Sequence, residues 1–201
     1  MKTRYIIVET TIFLNIIVVT ITRPNQRKMN MEINLKLGSK QIAAIAVMGA
    51  LTTVATMLIY LPFPATGGYF NLGDAIVVAT ALIFGPVVGA IAGGLGSGLA
   101  DLLGGWYTFV IATTIIKGTE GFVVGYLAGD PENRTYTKAL IAWAAGGVVL
   151  VAGYFIAEAF FLGMGISAAS AEIIINVPQA IMSLLGVGLS IAVKDRLKSF
   201  M

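Results

Sequence analysis

The chain contains no cysteine and no histidine, and charge is scarce: 11% of its 201 residues are Asp, Glu, Lys or Arg. Without cysteine there is no disulfide framework, no thiolate nucleophile and no Cys-ligated metal. Without histidine there is no imidazole general base, no Ser–His pair and no His-ligated zinc. The usual parts of hydrolytic chemistry inside membranes are therefore missing, and neither a cofactor nor a metal site is expected. A soluble domain carries roughly 25% charged residues, so this chain has too few ions to cover a water-facing surface. What it has in quantity is apolar: 57% of residues are hydrophobic, and many of the 24 glycines lie inside the apolar stretches. Polar residues gather in short islands separated by gaps long enough to cross a bilayer, ~20 residues per helix. Glycine within such gaps suits close helix packing. The expectation is an all-α integral membrane bundle of six transmembrane helices over residues 39–201, with a net charge of +3 that reflects topology rather than nucleic-acid binding.

Residues 1–38 stand apart as an N-terminal head. Residues 5–22 form an apolar run, but it contains Glu9, Asn15 and several Thr, and a basic stretch with Pro24, Met29 and Met31 follows. Three readings are open: a weak extra span, an uncleaved signal-like segment, or an upstream extension of the reading frame with Met29 or Met31 as the start. No small-residue cleavage site of the A-x-A kind follows the run, which counts against a signal peptide.

The first span is expected over 40–60, ending before Pro62 and Pro64; residues 61–71 cannot be helical and read as a structured loop. The second runs from 72–74 to Phe84, with Asn71 or Asp74 as its cap, and stops at Gly85-Pro86. The third covers 86–103, the fourth 106–127, the fifth 136–162 and the sixth 167–193, each bounded by glycine, proline or serine. Basic residues orient the bundle. Lys2, Arg4, Arg23, Arg27, Lys28, Lys36 and Lys40 precede the first span, Arg134 and Lys138 lie between the fourth and fifth, and Lys194, Arg196 and Lys198 follow the sixth. With six spans all of these fall on one side, so both ends of the bundle face the cytoplasm of a cell bounded by this plasma membrane. Lys117, inside the fourth span, is the exception.

A charge at the centre of a membrane helix costs ~2.5–3.5 kcal/mol on insertion scales, so intramembrane ions mark function. They are Asp74, Asp101, Lys117, Glu120, Glu158 and Glu172. Four of them, Asp74, Asp101, Glu158 and Glu172, come from four different spans and are expected in the outer half, with Lys117 near the midplane and Glu120 one turn deeper. A site reached from outside follows. On the sixth span Glu172, Asn176, Gln179 and Ser183 are spaced 4, 3 and 4 and share one face. That face points into the bundle or a cavity, and either lines a ligand or joins helices; Pro178 frees a carbonyl beside it. Lys117 and Glu120, at i and i+3, can neutralise each other, or Lys117 can face a ligand. Tyr69, Phe70, Trp106, Tyr107 and Tyr154 can stack on a flat heterocycle or belong to an interfacial belt. Ala46 and Ala50 form a small-xxx-small pair on the first span, suited to internal packing or to a partner helix.

The run from Pro62 to Asp74, Pro-Phe-Pro-Ala-Thr-Gly-Gly-Tyr-Phe-Asn-Leu-Gly-Asp, is similar to the loop-and-second-helix signature of S components of energy-coupling factor (ECF) vitamin transporters. Further matches are Phe84-Gly85-Pro86, Gly93-Gly94-Leu95-Gly96-Ser97 with Ala100-Asp101-Leu102, and Lys117-Gly118 with Glu120-Gly121, spanning about 39–198. The closest branch is the one with riboflavin, hydroxymethylpyrimidine and pyridoxine-type S components. The resemblance implies a six-helix membrane subunit that is not an enzyme. It binds a vitamin-like small molecule from outside, partly under the first loop. A transmembrane coupling subunit and two cytoplasmic ATPases then drive release inward. By the same resemblance the pocket corresponds to Tyr69, Asn71, Lys117, Glu120, Glu158, Asn176 and Gln179, and the coupling-subunit contact to Ala46 and Ala50. No phosphate-cradling G-x-x-x-x-G-K-[ST] loop is present, so the energy has to come from other chains. The alternative is a self-contained proton-coupled secondary transporter, with the buried carboxylates as relay, although no inverted repeat is visible. An intramembrane enzyme is the third reading, and the missing histidines and paired-carboxylate metal motif count against it.

Overall fold

In a computed structural model, residues 37–197 are described apart from 65 and 132. The expectations for the head therefore lie outside the described residues. The body is helical: α1 Ser39–Leu58, α2 Gly73–Phe84, α3 Pro86–Gly104, α4 Val110–Ala128, α5 Tyr136–Ile156, α6 Gly165–Met182 and α7 Leu184–Leu197. Two short strands, β1 Tyr60–Phe63 and β2 Gly68–Asn71, precede α2 and pair antiparallel, Tyr60 with Asn71 and Phe63 with Gly68.

Five segments are long and apolar enough to cross a membrane: Ser39–Leu58, Pro86–Gly104, Val110–Ala128, Tyr136–Phe161 and Gly165–Val193. The sixth expected span, α2, has 12 residues, about 18 Å at 1.5 Å per residue, which is short of a ~30 Å hydrocarbon core. Strand β2 makes up the difference. A Cβ on Gly68 would meet the Glu172 carboxylate, whereas the Asn71 N–H donates to Gln179, two turns further along α6. β2 thus descends alongside α6 and hands the chain to α2 already inside the bundle. Four extended residues add about 13 Å. The six-segment reading holds in this form, with the second span part strand and part helix.

The surface fits lipid rather than water. Ile111 is 75% exposed, Val148 68%, Phe161 79% and Ile174 72%, a spread of bare aliphatic and aromatic side chains that water-soluble monomers avoid. Two large recesses, about 990 Å³ between α1, α2 and α7 and about 570 Å³ between α5 and α6, are lined almost entirely by apolar side chains.

Helices in lipid gain no hydrophobic effect from meeting one another, so they associate by close packing. Here glycine supplies it. At the α3–α4 contact a Cβ on Gly121 would run into the Gly89 backbone, and one on Gly94 into the Thr114 carbonyl. α1 lies on α3 in the same way: Gly96 faces the Gly49 carbonyl, and the Thr53 hydroxyl donates to the Gly96 carbonyl at 2.8 Å. α2 is buried along nearly its whole length. Val78, Ala81 and Leu82 on it meet Val124, Ala128, Ala139, Ala142 and Val187 in the core at the end far from the hairpin.

Two helix ends differ from expectation. The fifth span does not stay α-helical to 162: Ala157–Phe161 winds as a single π turn, closed by Leu162 N–H to Ala157 O at 2.8 Å and by Gly163 at φ 73°. That wider turn carries Glu158 to a fully buried position. The sixth span breaks at Ser183 into α6 and α7, five residues past Pro178. The break leaves carbonyls without a helical partner. The Trp143 indole N–H and the Ser183 hydroxyl both bond the Ala180 carbonyl there, at 3.0 and 2.8 Å.

Candidate binding site

The hairpin positions the site. Gly67, at φ 74°, turns the chain back with its N–H on the Phe63 carbonyl, and Thr66 Oγ accepts from the Gly68 N–H. Proline at position 62 suits an edge strand, and among the described residues β1 pairs with β2 alone. Tyr60 and Tyr69 then close on Trp106, in the α3–α4 connection, with ring centroids 5.2 and 4.1 Å away. The Tyr69 hydroxyl donates to Asp101 near the end of α3.

Beneath the hairpin is a cavity of about 20 Å³, room for little more than a water molecule. β2 lines it with Gly68, Tyr69 and Asn71, α3 with Asp101, α4 and the turn before it with Thr113 and Phe109, α5 with Tyr154, and α6 with Glu172, Asn176 and Gln179. Five elements thus meet on one small polar space that the hairpin closes. The Tyr154 and Thr113 hydroxyls bond at 3.0 Å.

Directly below is a dense polar knot. Lys117 is paired with Asp74, and Gln179 bridges outward by donating its amide to Asp74 while accepting the Asn71 N–H at 3.0 Å. Glu120 lies 3.8 Å from the Lys117 ammonium. The principal partner of Lys117 is therefore Asp74 rather than its own-helix neighbour. Asp74 is also deeper than expected, because β2 carries the chain inward before α2 starts. Neither it nor Asn71 caps that helix, whose N-cap is Leu72 without a side-chain bond; just ahead of it Asn71 Oδ1 accepts the Gly73 N–H at 2.8 Å.

Of the seven residues expected in the pocket, Tyr69, Asn71, Asn176 and Gln179 line the cavity. Lys117 touches it indirectly, its ammonium 5.4 Å from the centroid of the Tyr154 ring. Glu120 lies in the knot below, and Glu158 stands behind the wall against Glu172. The whole stripe Glu172, Asn176, Gln179 and Ser183 is buried on one face of α6 and its end. Sequence reasoning left Asp101, Glu172 and Tyr154 out of the pocket although it noticed all three, and Phe109 and Thr113 escaped notice. The signal for Thr113 is its position one turn before Lys117 on the same face.

A profile of the ECF-type riboflavin transporter S component matches residues 36–194. The chain belongs to that family. It is 40% identical over 146 residues to an uncharacterized protein of Pyrococcus woesei, covering 72% of this chain and 95% of the relative. It is 31% identical over 144 residues to the thiamine precursor transporter HmpT of Lactococcus lactis, covering 71% and 80%. Its fold matches a solved S component of a bacterial ECF transporter at TM-score 0.63 and 19% identity, over 79% of this chain and 98% of that one. As an S component it is a multi-pass membrane protein of a transport system.

Proposed function

We propose that this S component captures a vitamin or related micronutrient from outside the cell and releases it inward, powered by a separate coupling subunit and ATPases. The observation that carries the reading is the hairpin-sealed polar cavity among β2, α3, α4, α5 and α6. In a lipid-facing bundle a face of Glu, Asn and Gln is costly unless it serves a ligand or a helix contact, and part of this one makes no hydrogen bond to another helix: Asn176 Nδ2 has no hydrogen-bond partner. The name of the Lactococcus relative, a thiamine precursor transporter, supports a small heterocycle as cargo. Tyr69, Asn71, Asn176 and Gln179 contact it, with Lys117, Glu120 and Glu158 setting the charge behind them. At about 20 Å³ the cavity is too small for such a cargo, so entry requires the hairpin to swing away from Asp101 and Gln179.

The orientation follows from charge. Arg134 lies between α4 and α5 and Lys138 in the first turn of α5, at the end remote from the hairpin, and basic loops stay cytoplasmic. The hairpin then faces outside and both ends of the bundle face inside. The coupling subunit meets α1, whose Ala46 and Ala50 are exposed beside Val47, Leu51 and Val54 while Gly49, Thr52 and Thr53 pack inward on α3.

The buried carboxylates also suit a proton-coupled carrier working alone, and one experiment separates the two. Uptake of labelled micronutrients is measured in cells expressing this chain with and without a coupling subunit and its ATPases. Uptake that needs those partners is the expected result. Uptake by the purified chain alone in liposomes, driven by a pH gradient, would overturn the proposal.

A further inference from the structure

The charges around the cavity are lopsided. Glu172 lines it at 3% exposure with Oε2 unbonded, and Asp101 lines it with Oδ2 unbonded. Glu158, fully buried on the π turn, stands against Glu172 close enough for the two carboxyls to share a hydrogen bond, and neither Glu158 oxygen meets any other donor. Among the described residues Lys117 is the one buried cation, and it is held by Asp74 with Glu120 also beside it. Among the described residues nothing basic lies against Glu158 and Glu172. A buried carboxylate without a counter-charge is costly, and a partner that supplies both charge and N–H donors relieves that cost.

An independent feature is Asn176. It is 3% exposed, lines the cavity one turn from Glu172 on α6, and its amide N–H2 has no partner. It calls for an acceptor on whatever enters. The Tyr154 ring, already facing the Lys117 ammonium, offers an aromatic face to a cationic ring. Opening the hairpin releases Asp101 from Tyr69 and presents a second carboxylate on the opposite wall.

From this geometry we infer that the cargo is a compact nitrogen heterocycle that is cationic, or becomes so on binding, with N–H donors for Glu172 and Asp101, an acceptor for Asn176, and no phosphate. The inference rests on the proposed binding role and narrows it. An anionic group would meet Glu172, Asp101 and Glu158 with no free cation to receive it, so phosphate esters are rejected. A proton shared between Glu158 and Glu172 in place of a cationic cargo would leave the site indifferent to ligand charge.

The full chain purified in detergent is titrated calorimetrically with thiamine, its free aminopyrimidine half, riboflavin, and the monophosphates of thiamine and riboflavin. Thiamine or the aminopyrimidine is expected to bind about tenfold or more tighter than riboflavin, and each ester more weakly than its parent. Glu172→Gln is expected to weaken the cationic ligand about tenfold or more, the range of a charge-assisted bond, and to weaken riboflavin by a smaller factor. If that variant does not fold, Glu158→Gln is expected to shift affinity in the same direction and decides instead. Tighter binding of riboflavin or of an ester, or unchanged affinity in the folded variant, overturns the inference. Binding of none of the five overturns it too. Partner-dependent uptake of some other solute would then leave the binding role standing, and absence of all such uptake would remove both.

Discussion

At the residue scale the decisive pair is Lys117 with Asp74. Both are almost completely buried, and Gln179 completes the carboxylate's bonding. Removing one member of a buried ion pair leaves the other uncompensated, at about 3–5 kcal/mol, whereas removing both together costs far less. Asp74→Asn is therefore expected to lower the melting temperature of the detergent-purified protein strongly. Asp74→Asn combined with Lys117→Met should recover much of the loss. A double variant whose loss equals the sum of the two single losses would mean that the two ions act independently. Tyr69 carries a second prediction. Its hydroxyl on Asp101 ties the hairpin to α3, and a hydrogen bond to a charged group contributes about 1.5–3 kcal/mol. Tyr69→Phe should keep the fold and speed ligand dissociation about tenfold or more, read by stopped-flow fluorescence; an unchanged off-rate would show that this bond does not hold the hairpin shut. These residues also show what was legible beforehand. The stripe of Glu172, Asn176 and Gln179 could be read because helical periodicity fixes which residues share a face. The partner of Lys117 could not, since Asp74 is 43 residues away and only the descent of β2 brings it level.

At the element scale, the bundle depends on where glycine permits backbones to touch. Gly121 and Gly188 both lie inside helices, but their surroundings differ. A Cβ at Gly121 would strike the Gly89 backbone, which cannot move without shifting α3, while one at Gly188 meets nothing within 4 Å. Gly121→Ala should separate α3 from α4 and lower the melting temperature by several degrees, at about 1–3 kcal/mol for overpacking. Gly188→Ala should be neutral or stabilising by about 0.5–1 kcal/mol, as alanine is the better helix former. Equal effects at the two positions would contradict glycine-mediated packing. Long apolar runs bounded by Gly and Pro made α1, α3, α4 and α5 readable to within a few residues. The β-hairpin was legible only as a non-helical loop, because two short strands with proline in one give no alternating pattern of useful length. The π turn at Ala157–Phe161 and the break at Ser183 had no local signal beyond Pro178. Both arise from tertiary demands, the first burying Glu158 and the second docking Trp143.

At the scale of the whole molecule, the two functions proposed for this chain sit on different surfaces. The cavity lies among β2, α3, α4, α5 and α6. α1 contributes no residue to its lining and turns Ala46 and Ala50 to the outside. A helix that approaches another through small residues is blocked by a bulky side chain at the contact, and a leucine there faces lipid comfortably when no partner is present. Ala46→Leu and Ala50→Leu should therefore leave folding and ligand affinity as they are and abolish partner-dependent uptake. Three measurements on the same variants make the test specific: melting temperature, ligand affinity in detergent, and co-purification with the coupling subunit. Lost co-purification with retained affinity is the expected pattern. Lost affinity would mean that α1 supports the cavity through α3, and the partner surface would then have to be sought elsewhere on the bundle. Uptake at the original level in both variants would remove α1 from the coupling contact altogether.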